Sequence, residues 1–365
     1  MTISFARGVP APECLPAEEL ADCAKAAVER DGRAVLSYGG AGGYQPLREW
    51  IAGRHGVEPE RVLLTNGSLQ GFVFLATHFF GGRPGRALVE APTYDRPLKI
   101  LAGLGAEVAT VPLDDEGLDP DALEARLREA PRPDFLYTIP TFQNPSGRTL
   151  SSERRRRVVE LAGEYEVLVL EDDPYGLVRF EGEAPPTLHE LDGGERVLYS
   201  SSFSKTIAPG VRVGYLVLPP TLHAAIEALA VQTYISPSLL GQATVWEFVR
   251  RGNFEPNLER VRGLLRIRRD AMLAALERHL AGGATWNRPE GGYFLWLELP
   301  IGADELLERA TAFGVTFVKG SDFFPLGGRG AQSARLAYSF VSPAEIEDGI
   351  ERLGALVSEP VGSSV

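Results

Sequence analysis

The sequence predicts an α/β protein with a large domain built on a mostly parallel, helix-covered sheet and a smaller α+β domain. Three observations predict it. Short, nearly continuous apolar runs alternate with amphipathic stretches between residues 35 and 254, as in strands of a parallel sheet buried on both faces. Beyond residue 254 the pattern changes to one long helical period, residues 257–280, followed by three short strand-like runs and a last helix. At 365 residues the chain also exceeds a single compact core. Residues 35–254 are the expected large domain; residues 1–34, rich in prolines, and 255–365 are the expected smaller one.

The elements follow in order. The run 62–64 enters Thr65-Asn66-Gly67-Ser68-Leu69-Gln70, which opens an apolar helical stretch over residues 71–80. Such a turn points free N–H groups and the positive end of the helix dipole above the sheet, a site for an anion. The run 87–89 leads to Pro92-Thr93-Tyr94, and the run 135–139 to Gln143-Asn144-Pro145. The run 167–170 ends in Glu171-Asp172-Asp173-Pro174-Tyr175. The run 197–199 ends in Ser202-Phe203-Ser204-Lys205, with Arg212 seven positions further, ahead of the run 213–218. In the second domain, residues 294–299, 315–318 and 335–339 read as strands and 343–357 as a helix. The Gly327-Gly328-Arg329-Gly330 loop and the Ser/Gly tail are expected to be mobile.

Ligands of open α/β sheets sit outside the carboxyl ends of the strands, so Asn144, Asp172 and Lys205 are expected to share one crevice. An ε-amine held beside another cation and away from water loses its proton easily and attacks carbonyls. Ser202, Ser204 and Arg212 beside it suit a phosphate. Pyridoxal phosphate carries both an aldehyde and a phosphate. A carboxylate such as Asp172 keeps a pyridine nitrogen protonated and makes the ring an electron sink, while Asn144 and Tyr175 are placed to bond a ring oxygen.

These residues carry a resemblance. The chain resembles the fold-type I pyridoxal-phosphate-dependent aminotransferases of class I/II, and within them the branch of 2-aminoadipate and kynurenine aminotransferases and MocR-like effector domains. The matching stretches run from Ile3-Ser4-Phe5-Ala6-Arg7-Gly8-Val9-Pro10 through residues 38–48 (YGGAGGYQPLR), Glu90-Ala91-Pro92-Thr93-Tyr94, Gln143-Asn144-Pro145-Ser146-Gly147 and the aspartate and lysine motifs. They end with Gly291-Gly292-Tyr293-Phe294-Leu295-Trp296 and Arg335-Leu336-Ala337-Tyr338.

The resemblance implies that Lys205 takes the cofactor as a Schiff base and then carries the proton at the substrate α-carbon. It implies that Asp172 pairs with the pyridine nitrogen, that Tyr175 and Asn144 hold the ring oxygen, and that Tyr94 stacks on the ring. Gly67, Ser68, Leu69, Ser202, Ser204 and Arg212 would surround the phosphate, joined by Tyr38 of a second subunit in a homodimer. Arg335 would clamp the substrate α-carboxylate with Asn144 and the backbone at Gly8. Arg7 and Lys319 depart from the family pattern, and they read as surface charges more readily than as ligands for an acidic side chain.

A net charge of −12 argues against a nucleic-acid partner. The arginines at 154–157 and 260–269 read as solvated helix faces. Only Cys14 and Cys23 occur, without metal-ligand spacing, and no stretch is apolar enough to span a membrane. The expectation is a cytoplasmic aminotransferase acting on an α-amino acid and a 2-oxo acid through pyridoxamine phosphate. On the residues alone, a lyase on the same cofactor and a MocR-like ligand-sensing module stay open.

Overall fold

A computed structural model describes residues 2–325 and 329–358. Gly327, Gly328 and the Ser/Gly tail, where mobility was expected, lie outside the described residues. The strands, in chain order, are β1 (Ile3–Ser4), β2 (Val62–Thr65), β3 (Arg86–Ala91), β4 (Glu107–Asp114), β5 (Gly117–Leu118), β6 (Phe135–Thr138) and β7 (Leu168–Asp172). They continue with β8 (Val197–Ser202), β9 (Gly214–Val217), β10 (Thr285–Trp286), β11 (Phe294–Glu298), β12 (Val315–Thr316), β13 (Val318–Lys319) and β14 (Ser333–Ala337).

The large sheet has the order β2-β9-β8-β7-β6-β3-β4-β5. Its centre, β8-β7-β6-β3-β4, is parallel, and β9 lies antiparallel between β2 and β8. Alternation along each strand divides the side chains between two cores. Leu63, Val89, Tyr137 and Leu198 pack under the helices Ser68–Phe80 and Pro220–Tyr234, with Phe72, Leu75 and Ile226 as the helical partners. Leu88, Leu136, Val169 and Val197 pack on the other face against Leu123, Val158 and Leu188. Because both faces are covered, the runs read as continuous apolar segments. Truncating one such side chain, as in Leu136→Ala, is expected to cost roughly 2–5 kcal/mol.

The smaller sheet, β10-β11-β14-β13, is antiparallel and packs against the helices Phe254–Leu280 and Pro343–Ser358. The run expected as one strand at 315–318 is split at Phe317: β12 pairs with β1, whereas β13 joins the smaller sheet. The N-terminal segment thus crosses to this side of the molecule. Ile3 aligns with Val315 in parallel, and the Ala337 N–H donates to the Phe5 carbonyl at 2.7 Å.

The arginine clusters correct one expectation. Arg155, Arg268 and Arg269 are buried rather than solvated. Arg155 donates to the Pro140 and Leu150 carbonyls and lies 3.6 Å from Glu171, and Arg269 reaches Glu181 and the Pro289 carbonyl. A guanidinium carries five donors in a rigid fork, so carbonyls and carboxylates pull it inside where a charge count along the sequence sees only a polar helix face. Among the described residues no helix is long and apolar enough to cross a membrane.

Candidate active site

The carboxyl ends of β6, β7 and β8 open onto a cavity of about 490 Å³. Asp172 closes β7 on the same face as Leu170, while Glu171 turns the other way and accepts from the backbone N–H groups of Leu188 and His189. Asp172 Oδ2 accepts a hydrogen bond from the Tyr137 hydroxyl at 2.8 Å, and its buried Oδ1 has no partner. Burial pushes this carboxyl up to about 6, against the pull of the Tyr137 hydrogen bond. Asp173 points away from the cavity and accepts from the Tyr199 hydroxyl and the Gly176 N–H.

Lys205 follows β8 and donates from Nζ to the Gly8 carbonyl at 2.7 Å. Burial, aided by the guanidinium groups of Arg335 and Arg212, brings its amine down to about 8. The rings of Tyr293 and Tyr175 lie 5.0 and 5.7 Å from Nζ.

One end of the cavity is an anion corner. The helix Ser68–Phe80 begins there without a side-chain cap, after Gly67 at φ 95°. A Cβ on Gly214 would lie 2.3 Å from the Ser68 backbone nitrogen, so only glycine lets β9 pass beneath this helix start. Leu69 lines the same corner. Ser202 and Ser204 bond each other at 2.9 Å, and Arg212 donates to the Asn66 carbonyl at 3.1 Å.

The opposite end is roofed by the smaller sheet and the N-terminal segment. Arg335 on β14 donates to Asn144 Oδ1 and to the Ala6 carbonyl, each at 2.9 Å. Its guanidinium lies 4.3 Å from the Phe294 ring centre and 5.1 Å from that of Phe323, and its buried Nε has no partner. Gly8 sits against Phe294, Tyr94 caps the helix Asp95–Gly103, and Tyr175 is buried beneath.

Every residue expected at the site lines this cavity except Tyr38, which is 81% exposed at the surface in a cleft with Leu36 and Pro237. Arg7 and Lys319 do not line it: Arg7 lies over the Phe340 ring, and Lys319 pairs with Asp304. Sequence reasoning passed over Tyr137, because a tyrosine inside an apolar run reads as a core ring. Its parity with Leu170, and hence with Asp172, carried the signal.

The residues fit pyridoxal 5′-phosphate. The unpartnered Asp172 Oδ1 suits a pyridinium N–H, the depressed Lys205 amine suits an aldehyde, and the uncapped helix start with Arg212 suits a phosphate.

The sequence comparisons agree with this geometry. The family model for aminotransferase class I and II matches residues 12–353. A 2-aminoadipate transaminase of Thermus thermophilus is 40% identical over 359 residues, spanning 96% of this chain and 89% of the relative. The crystal structure of the α-aminoadipate aminotransferase LysN from the same organism, complexed with N-(5′-phosphopyridoxyl)-L-leucine, is 38% identical with a TM-score of 0.92. It covers 98% of this chain and 92% of that one. A kynurenine aminotransferase of Pyrococcus horikoshii, in complex with pyridoxamine phosphate, substrate and product, is 35% identical with a TM-score of 0.93, covering 99% and 92%. The chain belongs to the class I and II aminotransferases, whose cofactor is pyridoxal 5′-phosphate.

Proposed function

We propose that this aminotransferase transfers the amino group of an α-amino acid to a 2-oxo acid in a ping-pong cycle, with Lys205 as the residue that both holds the cofactor and moves the proton. The observation that carries this reading is the convergence in one cavity of a lysine amine brought to about 8, a carboxylate with a free oxygen, and two guanidiniums.

When bound, pyridoxal phosphate supplies the aldehyde carbon that takes the substrate amine and the ring that accepts the electron pair left at the α-carbon. Asp172 would keep the pyridine nitrogen protonated, and Tyr175 with Asn144 would hold the ring oxygen. The Gly67-Ser68-Leu69 backbone, Ser202, Ser204 and Arg212 would hold the phosphate, and Tyr94 would cover the ring face. Arg335 binds the α-carboxylate by its two-pronged fork, which Asn144 and the Ala6 carbonyl already hold in place. Lys205 Nζ would be the general base that carries the proton off the substrate α-carbon. The Gly8 carbonyl orients that amine.

The same reading includes a two-fold dimer in which Tyr38 reaches the partner's phosphate site. The exposure of Tyr38 and of Leu36, which line one surface cleft with Pro237 and Leu239, supports it. The chain divides into residues 35–254, which bind the cofactor, and residues 1–34 with 255–365, which roof the site. The two cysteines, Cys14 and Cys23, are buried and free, which fits a reducing cytoplasm.

The test is a half-reaction. Holoenzyme mixed with single amino acids and no acceptor should release one 2-oxo acid per site, and 2-oxoglutarate or pyruvate should then restore the starting spectrum. Release of carbon dioxide or of a cleaved side chain instead would make it a lyase; no product from any amino acid would overturn the reading.

A further inference from the structure

Tyr137 lies one strand away from Asp172 and outside the lining of the cavity, yet the two are joined directly. Tyr137 on β6 aligns with Leu170 on β7. Asp172 stands two positions beyond Leu170 on the same face, so a tyrosine leaning along its strand delivers its hydroxyl to the carboxylate. The hydroxyl donates to Oδ2 at 2.8 Å, and the ring is fully buried, braced edge-on by Phe72 at 5.2 Å. Oδ2 is occupied from below, and Oδ1 is buried without a partner.

We propose that Tyr137 is the positioning residue that fixes Asp172 with Oδ1 toward the cofactor's pyridine nitrogen and keeps its charge available for that contact. The inference rests on the aminotransferase reading above.

The chemistry follows from the groups that face Asp172. Tyr137 on β6 donates to it and the Ser200 hydroxyl on β8 also favours its charge, whereas Asp173 beside it works against that charge; Glu90 on β3, with Tyr94 and Tyr175, completes the surrounding shell. Burial and the Asp172 charge push the Tyr137 hydroxyl far above its ordinary value, so it stays protonated and donates at every working pH. In a hydrogen-bonded pair of pyridine nitrogen and carboxylate, the proton rests with the more basic partner. A donor on Oδ2 lowers the carboxylate's basicity and leaves the proton on nitrogen, where it makes the ring an electron sink. Without that donor the proton shifts toward Asp172.

The experiment compares wild type, Tyr137→Phe and Phe72→Leu, each reconstituted with pyridoxal phosphate labelled with ¹⁵N in the ring. Tyr137→Phe keeps the ring and removes only the hydroxyl. Its ¹⁵N shift should move toward that of neutral pyridine, its affinity for the cofactor should fall roughly 10-fold or more, and kcat should fall by a similar factor. Phe72→Leu disturbs the same core without touching the hydroxyl, and its ¹⁵N shift should match wild type.

A Tyr137→Phe protein that melts earlier but keeps the wild-type ¹⁵N shift and kcat would overturn the inference, because only packing would then be lost. Equal movement of the shift in Phe72→Leu would overturn it as well. A wild-type protein that takes up no cofactor would instead sink the functional reading, so the two failures are distinguishable.

Discussion

The floor and the roof of the cavity are built by different kinds of structure. The floor, with Asp172, Asn144 and Lys205, follows the ends of adjacent parallel strands whose register is locked by two buried faces. The roof, with Gly8 and Arg335, depends on a two-residue parallel pairing of β1 with β12 and on an antiparallel sheet from the far end of the chain. A floor fixed by the sheet suits the covalent and proton-transfer chemistry, where small displacements are costly. A roof held by few backbone bonds suits the part that must admit and release substrate. Floor substitutions should therefore abolish chemistry, and roof substitutions should weaken binding.

The largest effect is expected for Lys205→Ala, with turnover down by about 10⁴-fold or more while the protein stays folded. Near-normal turnover in this variant would remove the floor from the account. Asp172→Asn should retain cofactor yet lose roughly 10³-fold in kcat, whereas Asp173→Asn, whose partners Tyr199 and Gly176 lie away from the cavity, should lose less than about 10-fold. Equal losses at the two positions would erase the assignment of opposite faces.

The lysine also sets a pH dependence. The amine must be unprotonated to take the aldehyde, and burial with two guanidiniums lowers it to about 8. The rate at which apoprotein captures pyridoxal phosphate should rise about 10-fold per pH unit up to about 8 and then level off. A rise that continues to about pH 10 would mean that the amine is solvated.

Arg335→Lys sharpens the contrast from the roof. The charge remains but the fork to Asn144 and Ala6 is lost, so KM should rise roughly 10-fold for every amino acid while the absorption spectrum of the cofactor stays unchanged. A changed spectrum with unchanged KM would place this residue on the cofactor instead.

The same difference explains what was legible in the sequence. The floor strands are buried on both faces and announce themselves as apolar runs, and their polar ends are local in the chain; β6, β7 and β8 are visible for that reason. The strand β4, next to the two-residue edge strand β5, was not among the runs, because its side chains are mostly half-exposed and Pro112 interrupts it. The split at Phe317 was hidden too, since neighbouring residues join different sheets only through partners more than 300 residues away and in β14. The buried arginines and Tyr137 share one cause: their roles are set by partners across the fold, which composition and spacing do not report. Arg335 was read from family resemblance rather than from its own surroundings, and its environment of Phe294, Phe323 and Asn144 is a tertiary fact.

The central claim, that Lys205 is the point of covalent attachment in a transaminating site, is tested most directly by borohydride reduction of the reconstituted protein followed by peptide mapping. The account predicts one pyridoxyl group per chain, on the peptide carrying Ser202-Phe203-Ser204-Lys205, and its loss when an amino acid is added before reduction. A label on another lysine, or a label at Lys205 that no amino acid displaces, would contradict it.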